Sequence, residues 1–196
     1  MGIIILNKSD LRWCEEKADT ILSLNLKSRK QSSRGERETN LEGIRAELAA
    51  AKAICLSSKE FNGYKEASLN KRGSDRGRDI EQIFTGLDKP VEIKYTPVKT
   101  ERTGFLFLRP PNHCGLIFDP QKHIEDSYFI LVYSAREDLI SFEVLGWIDG
   151  STLRKKGQHN PVPYKAGQYQ TFGIHWSKLF PFDELVVMRS SMPTGN

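Results

Sequence analysis

The stretch Val91-Glu92-Ile93-Lys94-Tyr95-Thr96 alternates apolar and polar residues, the two-residue period of a half-buried strand. Side chains two apart share a face, so Glu92 and Lys94 emerge side by side, a carboxylate next to an ammonium. Alone, the pair reads as a surface salt bridge. Asp79 changes that reading. It opens Asp79-Ile80-Glu81-Gln82-Ile83-Phe84, a second strand pattern, and residues 85–90 are a connection short enough for a hairpin. The hairpin would bring Asp79 opposite Glu92 to within a residue or two of register. Opposed carboxylates on neighbouring strands repel unless a cation lies between them, so the pattern predicts a bound metal.

The element ahead of the hairpin supplies another carboxylate. Thr39-Asn40-Leu41-Glu42 fits a capping box, and the helix it predicts carries Ile44, Leu48, Ala51 and Cys55 as an apolar stripe. At about 100° per residue, Glu47 falls on the edge of that stripe, among small residues (Ala46, Ala49, Ala50) that let another element approach. Earlier still, residues 1–8 suggest a short strand and Ser9 a helix cap. The helix would run to about Leu24, with Leu11, Cys14, Ala18 and Leu22 (or Ile21) along one side. Residues 25–38 are polar, basic and Ser-rich and read as a linker; residues 57–78, with Gly63, Gly73 and Gly77, read as a loop. Downstream, Tyr128-Phe129-Ile130-Leu131-Val132-Tyr133 has no polar gap, as for a strand covered on both faces. Residues 141–148 suggest another strand, 149–168 a long loop, and 176–185 a turn or short helix that packs aromatic rings.

At 196 residues the chain can bury a sizeable core. The net charge of +4 permits an anionic partner without requiring one. Basic residues cluster at Lys27, Arg29, Lys30, Arg34 and Arg37, at Lys71, Arg72, Arg76 and Arg78, and at Arg154, Lys155 and Lys156. Three scattered cysteines (Cys14, Cys55, Cys114) without a CxxC pair argue against a disulfide scaffold or zinc knuckle, and for a reducing, cytoplasmic location. Ile3-Ile4-Ile5-Leu6 is too short for a signal peptide, and no stretch approaches transmembrane length. Four isolated histidines (His113, His123, His159, His175) and the lack of a Gly-rich phosphate loop exclude the commoner zinc and NTPase patterns.

A helix with a glutamate, a strand with an aspartate, a hairpin and a strand with Glu-x-Lys, in that order, resemble the PD-(D/E)xK nuclease superfamily. The resemblance covers residues 39–96 and the strand at 128–133. It implies an α/β fold with a mixed central β-sheet flanked by helices, a restriction-endonuclease-like core. Its division would be residues 1–38 as N-terminal helix and basic linker, then 39–196 as a nuclease-like catalytic domain. Asp79 matches the motif aspartate, Glu92 and Lys94 the paired acid and lysine, and Glu47 the acid of the first helix. Arg78 stands where the motif has proline.

The implied activity is Mg²⁺-dependent hydrolysis of DNA phosphodiesters, as an endonuclease on double-stranded DNA, with Mn²⁺ able to substitute. Asp79, Glu92 and the Ile93 backbone carbonyl would hold the metal, since Mg²⁺ prefers hard oxygen donors. Glu47 would hold a metal-bound water or a second ion. Lys94 would steer the attacking water or offset transition-state charge. Asp75 is an alternative ligand to Asp79, and Glu81, on the same expected strand face, is a further ligand candidate that reads more simply as an exposed ladder glutamate. Arg76, Arg78, Lys71, Arg72, Lys155 and Lys156 would grip DNA phosphates. A homodimer would suit cutting of two strands. The alternative reading is a non-catalytic DNA-binding or assembly protein that keeps the same fold.

Overall fold

A computed structural model describes residues 3–28, 34–70, 79–96, 115–118, 123–134, 140–159 and 172–191. The first strand, β1 (Ile4–Ile5), leads into helix α1 (Lys8–Ser28). The cap is Asn7 rather than Ser9. Its Oδ1 accepts from the Asp10 amide (3.0 Å), and Asp10 Oδ2 accepts from the Asn7 amide (3.2 Å). Trp13, Cys14, Lys17 and Ala18 are buried, three to four residues apart on one face.

Helix α2 (Arg34–Ile54) starts earlier than its local signals predict, and Thr39 lies inside it. The linker expected at 25–38 is therefore helical at 25–28 and 34–38, while 29–33 lies outside the described residues. Extending a helix costs little once a nucleus exists, and the buried stretch from Ile44 to Ile54 provides one. Ala46, Ala49, Ala50 and Ala51 are fully buried, and their small side chains let α1 and the sheet close on α2 from two sides.

Residues 57–78 are not a continuous loop, because helix α3 (Ser58–Asn70) occupies most of the described part. Gly63 reads locally as a breaker. In the structure a Cβ there would sit 3.3 Å from the Phe84 ring, so its glycine allows that ring to come close. The strand expected at 79–84 is reduced to a single bridge, Ile80 to Val91. The chain then turns into α4 (Gln82–Thr85), closed by Gly86 in the left-handed region at φ 70°.

The main sheet contains β1, β2 (Val91–Thr96), β4 (Tyr128–Ser134) and β5 (Ser141–Asp149), with β3 (Gly115–Phe118) belonging elsewhere. Its order is β1-β5-β4-β2. The sheet is mixed: β2 runs parallel to β4, while β4–β5 and β5–β1 are antiparallel. All seven residues of β4 are buried, as its unbroken apolar run predicts. A second, antiparallel sheet joins β3, β7 (Phe172–His175) and β6 (Gln158–His159). The long loop expected at 149–168 opens instead with α5 (Gly150–Lys156), capped by Asp149, whose Oδ2 accepts from the Thr152 amide at 2.9 Å. A 3-10 turn (Trp176–Lys178) and helix α6 (Phe182–Ser191) complete the described chain.

The two faces of the main sheet are covered differently. Val91, Ile130, Val132, Phe142 and Val144 pack with α1, α2 and α3. Phe129, Leu131 and Ile148 pack with Leu116, Leu153, Phe172 and Ile174 from the second sheet and α5. The result is a mixed α/β fold, a mixed sheet with helices on it. No helix among the described residues is long and apolar enough to cross a membrane.

Candidate functional site

β2 is the last strand of the main sheet, with β4 on one side. Along its other edge, the Val91 amide donates to the Ile80 carbonyl (2.9 Å), and the Val91 carbonyl accepts from the Asp79 and Ile80 amides (3.1 and 3.0 Å). One step further along β2, the side chain of Asp79 bonds the strand's backbone. Asp79 Oδ2 accepts from the Ile93 amide at 2.5 Å. Covalent geometry then puts that oxygen within about 5 Å of the Glu92 Cα. A strand residue directs its N–H and C=O to the same edge, so the Ile93 carbonyl also faces Asp79's side.

Glu92 and Lys94 pair with Phe129 and Leu131 in register, and so share the face turned to the second sheet. Their charges meet directly, Lys94 Nζ lying 2.5 Å from Glu92 Oε1. The carboxylate side chain is 5% exposed and the lysine 33%, so the acid is sunk in the sheet and the amine reaches toward water. Asp79, the Ile93 backbone, Glu92 and Lys94 are thus gathered along one strand edge.

Glu47 is placed differently. It lies on α2, on the helix-covered side of the sheet, and its Oε1 accepts from Lys17 Nζ (2.8 Å) and from the Tyr64 hydroxyl. Lys17 also donates to Ser68 Oγ at 2.7 Å. Tyr64 is 2% exposed, and burial first, then the Glu47 carboxylate, lifts its phenol well above the ordinary range. Asp79 pushes in the same direction, so the hydroxyl stands in the field of both acids. A small cleft between α3 and the Asp79 segment is lined by Tyr64, Ala67, Ser68, Asp79, Glu81 and Phe84. Glu47 therefore approaches Asp79 through Tyr64, while the body of the sheet lies between it and the Glu92–Lys94 face. Glu81, the further ligand candidate, is exposed and lines the same cleft.

Lys71, Arg72, Asp75, Arg76 and Arg78 lie outside the described residues. Lys155 and Lys156 are exposed in the last turn of α5, and Lys156 Nζ sits 5.2 Å from the centre of the Phe180 ring. The three described histidines serve locally. His123 meets Asp126 and Glu125, which raise its pKa; His159 leans on Phe172; His175 accepts from the Ser177 amide to cap the 3-10 turn. Among the described residues, no three His, Cys, Asp or Glu side chains are close enough together to make a metal cage by themselves. A site at the β2 edge would thus use backbone and solvent oxygens beside its carboxylates, as Mg²⁺ commonly does.

Lys17 and Tyr64 are absent from the sequence reading, since both fall in segments without an evident chemical pattern. One signal was present: Lys17 lies three residues after Cys14 on the buried face of α1, where an unpartnered charge is costly. Comparison with known proteins finds no matching family model, no similar curated protein and no matching solved structure.

Proposed function

We propose that this chain is a metal-dependent nuclease that hydrolyses DNA phosphodiester bonds at the β2 edge beside Asp79. The observation that carries the reading is the Asp79 carboxylate docked on the Ile93 amide, between Glu92 and Lys94 in the chain. The donor set fits Mg²⁺ or Mn²⁺: two carboxylates and a backbone carbonyl, all hard oxygens, with neither thiol nor imidazole. Asp79, Glu92 and the Ile93 carbonyl would hold the ion. When bound, it supplies positive charge to the phosphate oxygens and acidifies water.

The chain's own groups do the rest. Lys94, partly exposed on the same face as Glu92, orients the attacking water and offsets the negative charge that grows on the phosphate oxygens. Glu92, tied to Lys94, fixes where that ammonium stands. The bridge at Ile80–Val91 holds Asp79 in place, so the acid is preorganised on a strand edge rather than carried on a free loop. Lys155 and Lys156 are exposed cations suited to the phosphate backbone. Cutting both strands of a duplex calls for two such sites, hence a pair of chains.

The test is incubation with supercoiled, linear and single-stranded DNA, in Mg²⁺ and in chelator. Cleavage should require the metal, and Asp79→Ala should lower it by about a thousandfold or more while DNA binding persists. Undiminished cleavage by Asp79→Ala or Lys94→Ala rules the assignment out. Salt-sensitive DNA binding without any cleavage by the unaltered protein would instead support a non-catalytic DNA-binding role.

A further inference from the structure

We infer that His123 is a proton-operated clasp across Glu125 and Asp126, one that sets the charge beside the basic last turn of α5 and so tunes how tightly that turn holds a DNA phosphate backbone. The consequence rests on the nuclease reading; the clasp itself does not. Nδ1 of His123 lies 3.0 Å from Glu125 Oε2, and Nε2 lies 2.8 Å from Asp126 Oδ2. Ionised carboxylates only accept hydrogen bonds, and a neutral imidazole carries a single N–H. Both ring nitrogens can therefore donate only when the ring holds two protons. Once one proton leaves, a lone pair faces a carboxylate oxygen, and the ring must turn away from one of the acids.

Glu125 joins the clasp to α5. Its Oε1 accepts from Arg154 Nε at 2.9 Å, and its Oε2 accepts from the Ile124 amide at 2.8 Å. Those bonds, Arg154 first, hold its pKa down to about 2, so Glu125 keeps its charge wherever histidine titrates. Its backbone carbonyl accepts from Lys89 Nζ (3.3 Å) and Ser151 Oγ (3.5 Å), and the Gly150 amide donates to the Ser127 carbonyl at 2.9 Å. These contacts keep the loop on α5 in either state of the ring, so what the proton changes is charge. Among the described residues, the charged groups facing His123 are Glu125 and Asp126 of its own loop and Arg154 of α5. Lys89, which reaches the same loop, is paired with Asp149 at 2.5 Å. Two carboxylates and one guanidinium leave one negative charge next to Lys155 and Lys156, and the imidazolium cancels it. Asp126, by its hydrogen bond and its charge, and then Glu125 keep the proton on the ring above the ordinary histidine range. Tighter DNA binding is thus present below that raised pKa and lost as pH climbs through it. A unit charge about 10 Å from a phosphate in water is worth about a factor of two in affinity, and less as salt screens it.

Two readouts test the inference on the full chain. An NMR titration of the His123 ring protons reads the clasp: the midpoint should lie above about 6.5, fall in Asp126→Asn, and fall further when Glu125→Gln is added. His123 and Asp126 are 72% and 77% exposed at their side chains, so their variants keep the fold. Fluorescence anisotropy with a labelled DNA duplex at low salt reads the consequence. From about pH 6 to about pH 8.5, the unaltered protein should lose about twofold more affinity than His123→Gln does. His159→Gln, which alters the exposed histidine of β6, should retain that twofold loss. A His123 midpoint that the two carboxylate variants leave unmoved overturns the clasp. Equal pH dependence in the unaltered protein and His123→Gln, or a dependence that vanishes only in His159→Gln, overturns its effect on DNA. If the unaltered protein binds no DNA even at the lower pH, the DNA reading and the consequence fall together, and the titration midpoints still decide the clasp.

Discussion

Replacing Lys94 by alanine separates charge balance from chemistry at the sheet edge. Glu92 is 5% exposed at its side chain, and its Oε1 lies 2.5 Å from a lysine nitrogen whose side chain is 33% exposed. Charge centres about 4 Å apart attract by roughly 4 kcal/mol at an effective dielectric constant near 20. Part of that is offset by the cost of withdrawing the carboxylate from water. Truncating one member of a fully buried pair costs about 3–5 kcal/mol, whereas an exposed pair is worth under about 1. This pair is buried at one end and half-open at the other, so Lys94→Ala should destabilise the protein by about 2 kcal/mol. With an m-value of about 2 kcal/mol/M, the urea midpoint should fall by about 1 M in chelator. On the proposed metal site, a divalent ion held by Asp79 and Glu92 would replace the missing positive charge, so millimolar Mg²⁺ should recover at least half of the deficit without restoring cleavage. The double variant Glu92→Gln, Lys94→Met should lose less stability than Lys94→Ala, because it removes the buried charge along with its partner. Urea titrations followed by circular dichroism, with and without Mg²⁺, read all of this. A midpoint in chelator equal to that of the unaltered protein would refute the charge-balance reasoning. A deficit that Mg²⁺ leaves untouched would refute the placement of the ion at Glu92.

Asp10 is 2% exposed; burial works to raise its pKa, but Lys52 at 2.9 Å, the Asn7 amide and Lys65 at 3.3 Å together hold it below the usual carboxylate value. A depressed folded pKa means stabilisation that is present above the unfolded value of about 3.9 and is lost as pH falls through the folded one. Asp10→Asn should therefore be the less stable protein at pH 7, and the gap in urea midpoints should narrow steadily below about pH 4; a gap constant with pH would contradict the pairing. Lys155→Ala together with Lys156→Ala should weaken DNA binding alike for all sequences and flatten the log–log salt dependence by about 1.8, the value for two lost phosphate contacts. Fluorescence anisotropy across salt concentrations measures it, and an unchanged slope would take α5 off the DNA surface. Gly150→Ala would put a Cβ 1.7 Å from the Ile124 carbonyl oxygen, a backbone atom that cannot step aside without moving the start of β4. It should cost more than about 3 kcal/mol, seen as a lower Tm, although no proposed site residue is touched.

The two neighbouring strands β2 and β4 were legible because their signals are local. Val91–Thr96 alternates, and β2 forms there; residues 128–133 run apolar without a break, and β4 is buried on both faces. What β2 pairs with was not legible. The short connection after Thr85 suggested a hairpin, yet β2 lies parallel to β4, whose paired residues are 37 positions further along, as in Val91 with Tyr128. Chain proximity and the strand-like pattern of Asp79-Ile80-Glu81-Gln82-Ile83-Phe84 favour a hairpin, but after the bridge at Ile80 the chain turns into α4, and Ile83 ends 73% exposed. A single bridge was enough to place Asp79. Among the described residues Asp79 reaches β2 through one bridge beside it and through its own side chain, which accepts from the Ile93 amide.

Glu47 shows why the support of such a site escapes a local reading. At the flank of the α2 stripe it has two possible fates, to reach past the sheet edge toward the strands or to be neutralised among the helices. The choice depends on Lys17 and Tyr64, which are 30 and 17 residues away in the chain. Neither residue is unusual where it stands. Only when α1 and α3 pack against the alanine-rich sides of α2 do an ammonium, a phenol and a carboxylate converge, with the phenol also in the field of Asp79. A motif of three acids in sequence order therefore underdetermines which of them the fold brings together. The distinction lies in packing: Asp79 bonds the backbone amide that follows Glu92, whereas Glu47 bonds Lys17 and Tyr64 among the helices.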